Sequence, residues 1–320
     1  MLICRSVTGR ILLAGMVLGA GGTVSGQPYP YKPLRIFTSA PGANNDFNAR
    51  IVAQGLTASL GQPVVVDNRG AVPSAELASK APADGYTLLV AATSFIIGPL
   101  LQPMSYDALR DFAPITVTAS SPNLVVVHPS VPVNTISELL ALARAKPGGL
   151  NYASGGTGTS AHLAAELFKS MARVDIVRVA YKGDGPAINA MISGEVQLIF
   201  ATAGSVMPHV KSGKLKAIAV TTPGPTALIP GMPSVAESGV PGYESVQASG
   251  VFAPLKTPAA IVTRLNQEIV RILNKPDVKE KFLNIGAEVV GNTPQEFTAR
   301  IKAEVARMGK VIKDAGIKAD

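Results

Sequence analysis

The sequence predicts an α/β protein of two lobes, each a mostly parallel sheet flanked by helices, with one lobe inserted into the other through two chain crossings. Three observations predict it. Strand-like and helix-like segments alternate from residue 34 onward. Two segments, LVVVHPSVPVNTISELLALARAKPG and GVFAPLKTPAAIVTRLNQEIVRILNKP, each run from a strand through proline-spaced turns into a helix, and so look like partners. A complete strand–helix set lies between them, which is the pattern of a parallel sheet. The expected division is 1–26 as an export signal, 27–127 with 250–320 as the first lobe, and 128–249 as the second. The crossings, which would act as hinges, are placed near Val127–Ser130 and Ser249–Pro254.

The N-terminus reads as a cleaved signal peptide. Arg5 and Arg10 form a positive region ahead of the ten apolar residues Ile11–Ala20 and the small residues GGTVSGQ. The apolar stretch is too short to span a bilayer, which needs about 20 residues, but suits a signal peptide, with cleavage after Gly26 or Gly22. A plain membrane anchor is the alternative. A lipoprotein is disfavoured because Cys4, the sole cysteine, precedes the apolar run. Cleavage leaves no cysteine and lowers the formal charge from +8 to +6 as Arg5 and Arg10 leave. The product should be periplasmic.

The elements then follow in order. Leu34–Ser39 is a buried strand, APGANND a turn, and Ala49, Val52, Ala53, Leu56 and Leu60 one face of a helix stopped by Gly61. Val64–Val66 is a second strand, Gly70–Ser74 a loop, AELASKA a short helix and Tyr86–Thr93 a third strand. Thr135 and Glu138 make a capping box. The middle set is strand LNYAS, helix AHLAAELFKSM, strand IVRVAY, helix GPAINAMISG, and strands VQLIFA and KAIAVT. Thr257 is expected as an N-cap with Pro258 at the first helical position. Thr293, Pro294 and Glu296 begin a last helix with Phe297, Ile301, Val305, Met308 and Ile312 on one face.

Composition excludes several classes. With one cysteine there is no disulfide framework, no CxxC pair and no cysteine zinc site. His128, His162 and His209 are too scattered for a metal centre. The basic residues are dispersed, without runs or aromatic interleaving, so no nucleic acid is expected as a partner. GxSxG, SxxK, HExxH and P-loop motifs are absent, so no catalytic set, no cofactor and no metal are expected. Gly156, Gly158 and Ala161 spell GxGxxA, but mid-chain and without an acid ending the next strand, which is a weak dinucleotide match.

The clearest chemical feature is SGGTGTSAHLAAELF, residues 154–168. A glycine-rich turn from strand to helix presents free N–H groups and the positive end of a helix dipole, with Thr157, Thr159 and Ser160 adding hydroxyls. That suits a carboxylate or phosphate, and equally an ordinary capped helix. PGANND at the end of the first strand repeats the arrangement, at the sheet edge where open α/β folds bind ligands.

The chain also resembles the tripartite tricarboxylate transporter substrate-binding proteins, the Bug receptors, over essentially all of the mature region. The resemblance is carried by the opening YPYKPLRIFTSAPGANNDFNARIVAQGLTASLGQPVVVDNR together with DGYTLLVA, YDALRDFAPI, the NLVVVHPS to LNYAS segment, HLAAELF, YKGDGPA, GKLKAIAV, PSVAESGVPGYE, GNTPQEF and KVIKDAGIK. It implies a type II-like two-lobe periplasmic binding protein fold that closes on a small carboxylate by hinge motion and delivers it to a membrane permease as a monomer. A sensor kinase as receiver, or an exported α/β enzyme, are the alternatives. It implies a first ligand loop of Pro41, Gly42, Ala43, Asn44, Asn45 and Asp46, and a second of Gly70, Ala71, Val72 and Ser74. Thr93 and Ser94 join them at a strand end, and the other lobe supplies Thr157, Gly158, Thr159, Ser160, Tyr181, Lys182, Ala201 and Thr202. Departures are expected to matter. Ala43 replaces a usual glycine, the second loop is shorter and holds Pro73, Gln197 and Ala201 stand where acids are common, and Ala248 and Met308 stand where tryptophans often occur.

Overall fold

The computed structural model describes residues 29–317. The segment read as a signal peptide lies outside the described residues. The first lobe opens with three strand–helix units: β1 (Leu34–Thr38) and α1 (Asn44–Leu60), β2 (Val64–Asn68) and α2 (Ala71–Ser79), β3 (Thr87–Ala92) and α3 (Thr93–Leu101). The long strand β4 (Phe112–Val127) then carries the chain into the second lobe. That lobe holds α4 (Ile136–Ala145), β5 (Asn151–Ser154), α5 (Ser160–Ala172), β6 (Val177–Ala180), α6 (Asp184–Ser193), β7 (Leu198–Thr202), α7 (Ala203–Lys211) and β8 (Lys216–Val220). Strand β9 (Val246–Pro254) returns to the first lobe, followed by α8 (Ala259–Leu273), α9 (Pro276–Asn284), β10 (Glu288–Val289) and α10 (Pro294–Asp314).

The strands run β2-β1-β3-β9-β4 in the first lobe, with β10 on the other side of β4, and β8-β4-β7-β5-β6 in the second. Parallel pairing is confined to β2-β1-β3 and to β7-β5-β6. The connecting strands β4 and β9 pair antiparallel with their neighbours, because they thread between the lobes in opposite directions. The parallel character expected of each sheet therefore belongs to its strand–helix units.

Strand β4 pairs with β9 as far as Pro122 and with β7 and β8 from Asn123 and Leu124 onward. Strand β9 pairs only within the first lobe, from Val246. The chain thus changes sheets at Pro122–Asn123 and just before Val246, on both strands earlier than the predicted crossings. Nothing in the sequence marks the change, because Leu124–Val127 is as buried and apolar as any core strand. Pro114 and Pro122 obscured the N-terminal half of β4. Pro114 sits at a register shift and Pro122 at the change of partner, where a missing N–H is tolerated.

Helix α3 carries little amphipathic signal, and α3 and α7 each contain an internal proline, Pro99 or Pro208. The expected loop Gly70–Ser74 is the first turn of α2, after Gly70 at φ 84°. Pro73 fits there because first-turn N–H groups lack intrahelical partners. Pro258, not Thr257, is the N-cap of α8, and the buried Thr257 Oγ1 has no hydrogen-bond partner among the described residues. Thr293 forms a full capping box, whereas the box expected at Thr135 is half made: Thr135 Oγ1 accepts from Glu138 N–H, but Glu138 Oε2 accepts from Asn134 N–H. Helix α10 buries Phe297, Ile301, Met308, Val311 and Ile312 and packs on both α3 and α5, so it touches both lobes. Val305 packs against the same core only partly buried.

Candidate functional site

A cavity of about 360 Å³ lies between the lobes. Each helix at its edge starts where a parallel strand ends, so several helix N-termini meet there. Asn45 lines it from the first turn of α1, Ala71 and Val72 from that of α2, and Ser94 and Phe95 from that of α3. Thr157 and Gly158, in the turn entering α5, face them from the second lobe. None of α1, α2 and α3 has a side-chain N-cap hydrogen bond. Their first-turn N–H groups and dipoles remain available to an anion. No ionised side chain lines the cavity.

Two polar side chains of the lining, Asn45 and Thr157, are oriented as donors, whereas Ser74 Oγ donates to Thr38 O. Asn45 Oδ1 accepts from Ser249 Oγ at 2.9 Å, which fixes the amide on strand β9 and leaves its NH₂ for the cavity. Thr157 Oγ1 accepts from Arg178 Nη1 at 2.8 Å, so its own proton points elsewhere. Arg178 Nε also donates to Ser154 Oγ at 2.8 Å, and its buried Nη2 has no partner among the described residues. A guanidinium therefore stands directly behind Thr157. Ser39, also in the lining, has a buried hydroxyl without a partner among the described residues. The N–H groups of Thr157 and Ser160 have no hydrogen-bond partner among the described residues.

Of the residues implied as ligand contacts, Asn45, Ala71, Val72, Ser74, Ser94, Thr157 and Gly158 line this cavity. The others do not line it. Asp46 is buried and accepts from Gly42 N–H at 2.9 Å, Asn68 Nδ2 at 2.9 Å and Arg50 Nε at 3.0 Å. Burial would raise its pKa, but the hydrogen bonds from Arg50, Gly42 and Asn68 outweigh burial and hold it below the usual carboxylate value. Pro41, Gly42 and Ala43 are exposed, and Asn44 lines a separate small pocket near Ser121. Gly70 caps α2. Thr93 Oγ1 accepts from Ala248 N–H at 3.1 Å and does not line the cavity. Thr159 caps α5, its Oγ1 accepting from His162 N–H and donating to Gly156 O. Ser160 Oγ donates to Asn123 Oδ1 at 3.0 Å. Tyr181 donates to Glu195, Lys182 is exposed, Ala201 is buried in the second-lobe core, and Thr202 Oγ1 bonds Ser205. Gln197 accepts from Asn151 N–H. Ala248 lines a pocket of about 20 Å³ behind Thr93 rather than the cavity between the lobes, and Met308 fills core volume as expected.

Sequence reasoning missed Arg178 and all of α3. Arg178 lies in the short strand β6, where nothing distinguishes it from a surface arginine. Helix α3 contributes Gly98 and Leu101 to the cavity, and Met104 and Tyr106 follow it. Leu101 meets the glycine-rich turn directly. A Cβ on Gly158, at φ +77°, would lie 2.4 Å from Leu101 Cδ1. His162 is buried, and its Nδ1 accepts from Gly158 N–H at 3.1 Å. Among the described residues no group of His, Cys, Asp and Glu forms a metal site, and no helix is long and apolar enough to cross a membrane.

The sequence profile described as the tripartite tricarboxylate transporter family receptor matches residues 48–317. Protein BugT of Bordetella pertussis is 33% identical over 307 residues, covering 94% of each chain. A solved R. palustris protein with adipate has 35% sequence identity and a TM-score of 0.76, covering 91% of this chain and 100% of that one. MatC from Rhodopseudomonas palustris, with bound malate, is 26% identical with a TM-score of 0.71, covering 89% of this chain and 100% of MatC.

Proposed function

Since the chain belongs to the tripartite tricarboxylate transporter receptor family, we propose that it is an exported, periplasmic solute-binding protein that captures a small carboxylate between its lobes and passes it to a membrane permease. The observation that carries this reading is the convergence of four helix starts on a cavity where Asn45 and Thr157 are oriented as donors and whose lining holds no anion. A carboxylate there would receive N–H groups of the helix first turns, the Asn45 amide and the Thr157 hydroxyl. The Arg178 charge would act from behind. Relatives solved with adipate and with malate support the ligand class.

We assign the lobes as residues 29–122 with 246–317, and 123–245, from the exchange of strand partners. Closure would turn about Pro122–Asn123 and Ser245–Val246, with Leu101 already against Gly158 where the lobes meet. A binding role is favoured over an enzymatic one because the lining offers hydroxyls and amides but no general base or activated nucleophile. The test is a thermal-shift screen of the purified protein against carboxylic acids, beginning with adipate and malate. A ligand at a hundredfold excess over its Kd should add about 2.7 kcal/mol of stability. Stabilisation by sugars or metal ions and by no carboxylate would overturn the reading.

A further inference from the structure

The far end of the cavity has chemistry that a bare carboxylate site does not need. Beyond the helix starts, the wall is apolar: Val72 of α2, Phe95 and Leu101 of α3, and Met104. Gly98 leaves α3 bare at this point. A Cβ there would lie 3.3 Å from Met104 Cε and 3.5 Å from Tyr106 Oη, so the three residues surround one space. Tyr106 is only 6% exposed and its ring stacks on Phe95 at 5.0 Å between centroids. Its hydroxyl has no hydrogen-bond partner among the described residues, yet Tyr106 lines the cavity. The phenol oxygen is not among the buried atoms without a partner, so it opens on the cavity and is presented to whatever oxygen lies there.

The charge at this end fixes what that something is. Glu76 lies beside Ser105, whose Oγ donates to Glu76 Oε1 at 2.5 Å, and Glu76 is in no ion pair among the described residues. Burial and then Glu76 push the Tyr106 phenol above its usual pKa, so it remains a donor. The end therefore has a donor, Tyr106, with the Glu76 carboxylate nearby, and among the described residues that line it there is no cation. Gln102, the other polar side chain here, is exposed. A second carboxylate would meet repulsion where a hydroxyl or keto oxygen would meet Tyr106 Oη.

We infer that the preferred ligand is a monocarboxylate with an apolar body and a neutral oxygen at its far end, received by Tyr106. This rests on the carboxylate reading of the near end. The test uses three acids of equal length, hexanoate, 6-hydroxyhexanoate and adipate, with affinities measured by calorimetry on the purified protein. 6-Hydroxyhexanoate should bind about tenfold tighter than hexanoate, equivalent to one neutral hydrogen bond of about 1.4 kcal/mol, and adipate weakest. Tyr106→Phe should bring 6-hydroxyhexanoate down to the level of hexanoate without changing hexanoate affinity. Gly98→Leu, which would fill the space between Met104 and Tyr106, should weaken all three acids at least tenfold, with circular dichroism checking that the variant is folded. Adipate binding tighter than 6-hydroxyhexanoate, an unchanged ratio in Tyr106→Phe, or unchanged affinities in Gly98→Leu would overturn the inference. So would binding of short acids such as malate with none of the three, which leaves the carboxylate reading standing. Binding of no carboxylate at all would overturn both.

Discussion

Arg178 and Asp46 show how far a residue's type is from its role. Asp46 looks like a ligand contact by position, yet its carboxylate is consumed by Gly42, Asn68 and Arg50. Its pKa is lower folded than unfolded, so its contribution is present above the unfolded value of about 3.9 and is lost as pH falls through the folded value. Chemical denaturation at pH 7 and pH 3 should show Asp46→Asn less stable by about 1–3 kcal/mol at pH 7, with the difference shrinking at pH 3. Arg178, which no motif marks, stands behind the Thr157 hydroxyl. Arg178→Met should weaken carboxylate binding about tenfold, or about 1.4 kcal/mol. In calorimetry the pair Arg178→Met and Thr157→Ala should be less than additive, because each removes the same oriented donor.

At the scale of the element, the glycine-rich turn and α3 have to be read together. Gly158 needs its positive φ for the turn and its missing Cβ for Leu101. Gly158→Ala should cost roughly 1–3 kcal/mol of stability from backbone strain and also weaken ligand binding. Leu101→Ala in that background should restore part of the binding and none of the stability, measured by calorimetry and urea unfolding. Thr159→Ala should lower stability by about 1 kcal/mol as a lost N-cap, with ligand affinity little changed, since the hydroxyl bonds its own turn. The turn itself was legible in the sequence, because glycines followed by Thr, Ser and an amphipathic run are local signals. Helix α3 was not legible. Its mean composition is uniformly apolar and Pro99 interrupts it, so neither period nor cap betrays a helix, although it supplies much of the cavity wall.

For the whole molecule, the order of strand and helix units could be read from alternation, and an inserted lobe was expected from the two segments that run from strand through prolines into helix. The points where the chain changes sheets could not, because β4 stays buried on both sides of Pro122 and only its hydrogen-bond partners change. Local pattern reports burial, and a change of partner at constant burial leaves no trace. If closure turns about Pro122–Asn123 and Ser245–Val246, small-angle scattering should show the radius of gyration shrink when a binding carboxylate is added. A substitution such as Asn123→Ala, which removes the acceptor for Ser160 Oγ, should change that response.

The lining without ionised side chains has a kinetic consequence. An anion held by amides, hydroxyls and helix starts makes no salt bridge that must be broken before it leaves. Its residence time should then follow the opening of the lobes and depend only weakly on ionic strength, since screening acts mainly on pairs of exposed charges. Stopped-flow dissociation measured at low and high salt should give nearly the same rate. Under the proposed closure, release would then be a single step whose rate is that of lobe opening.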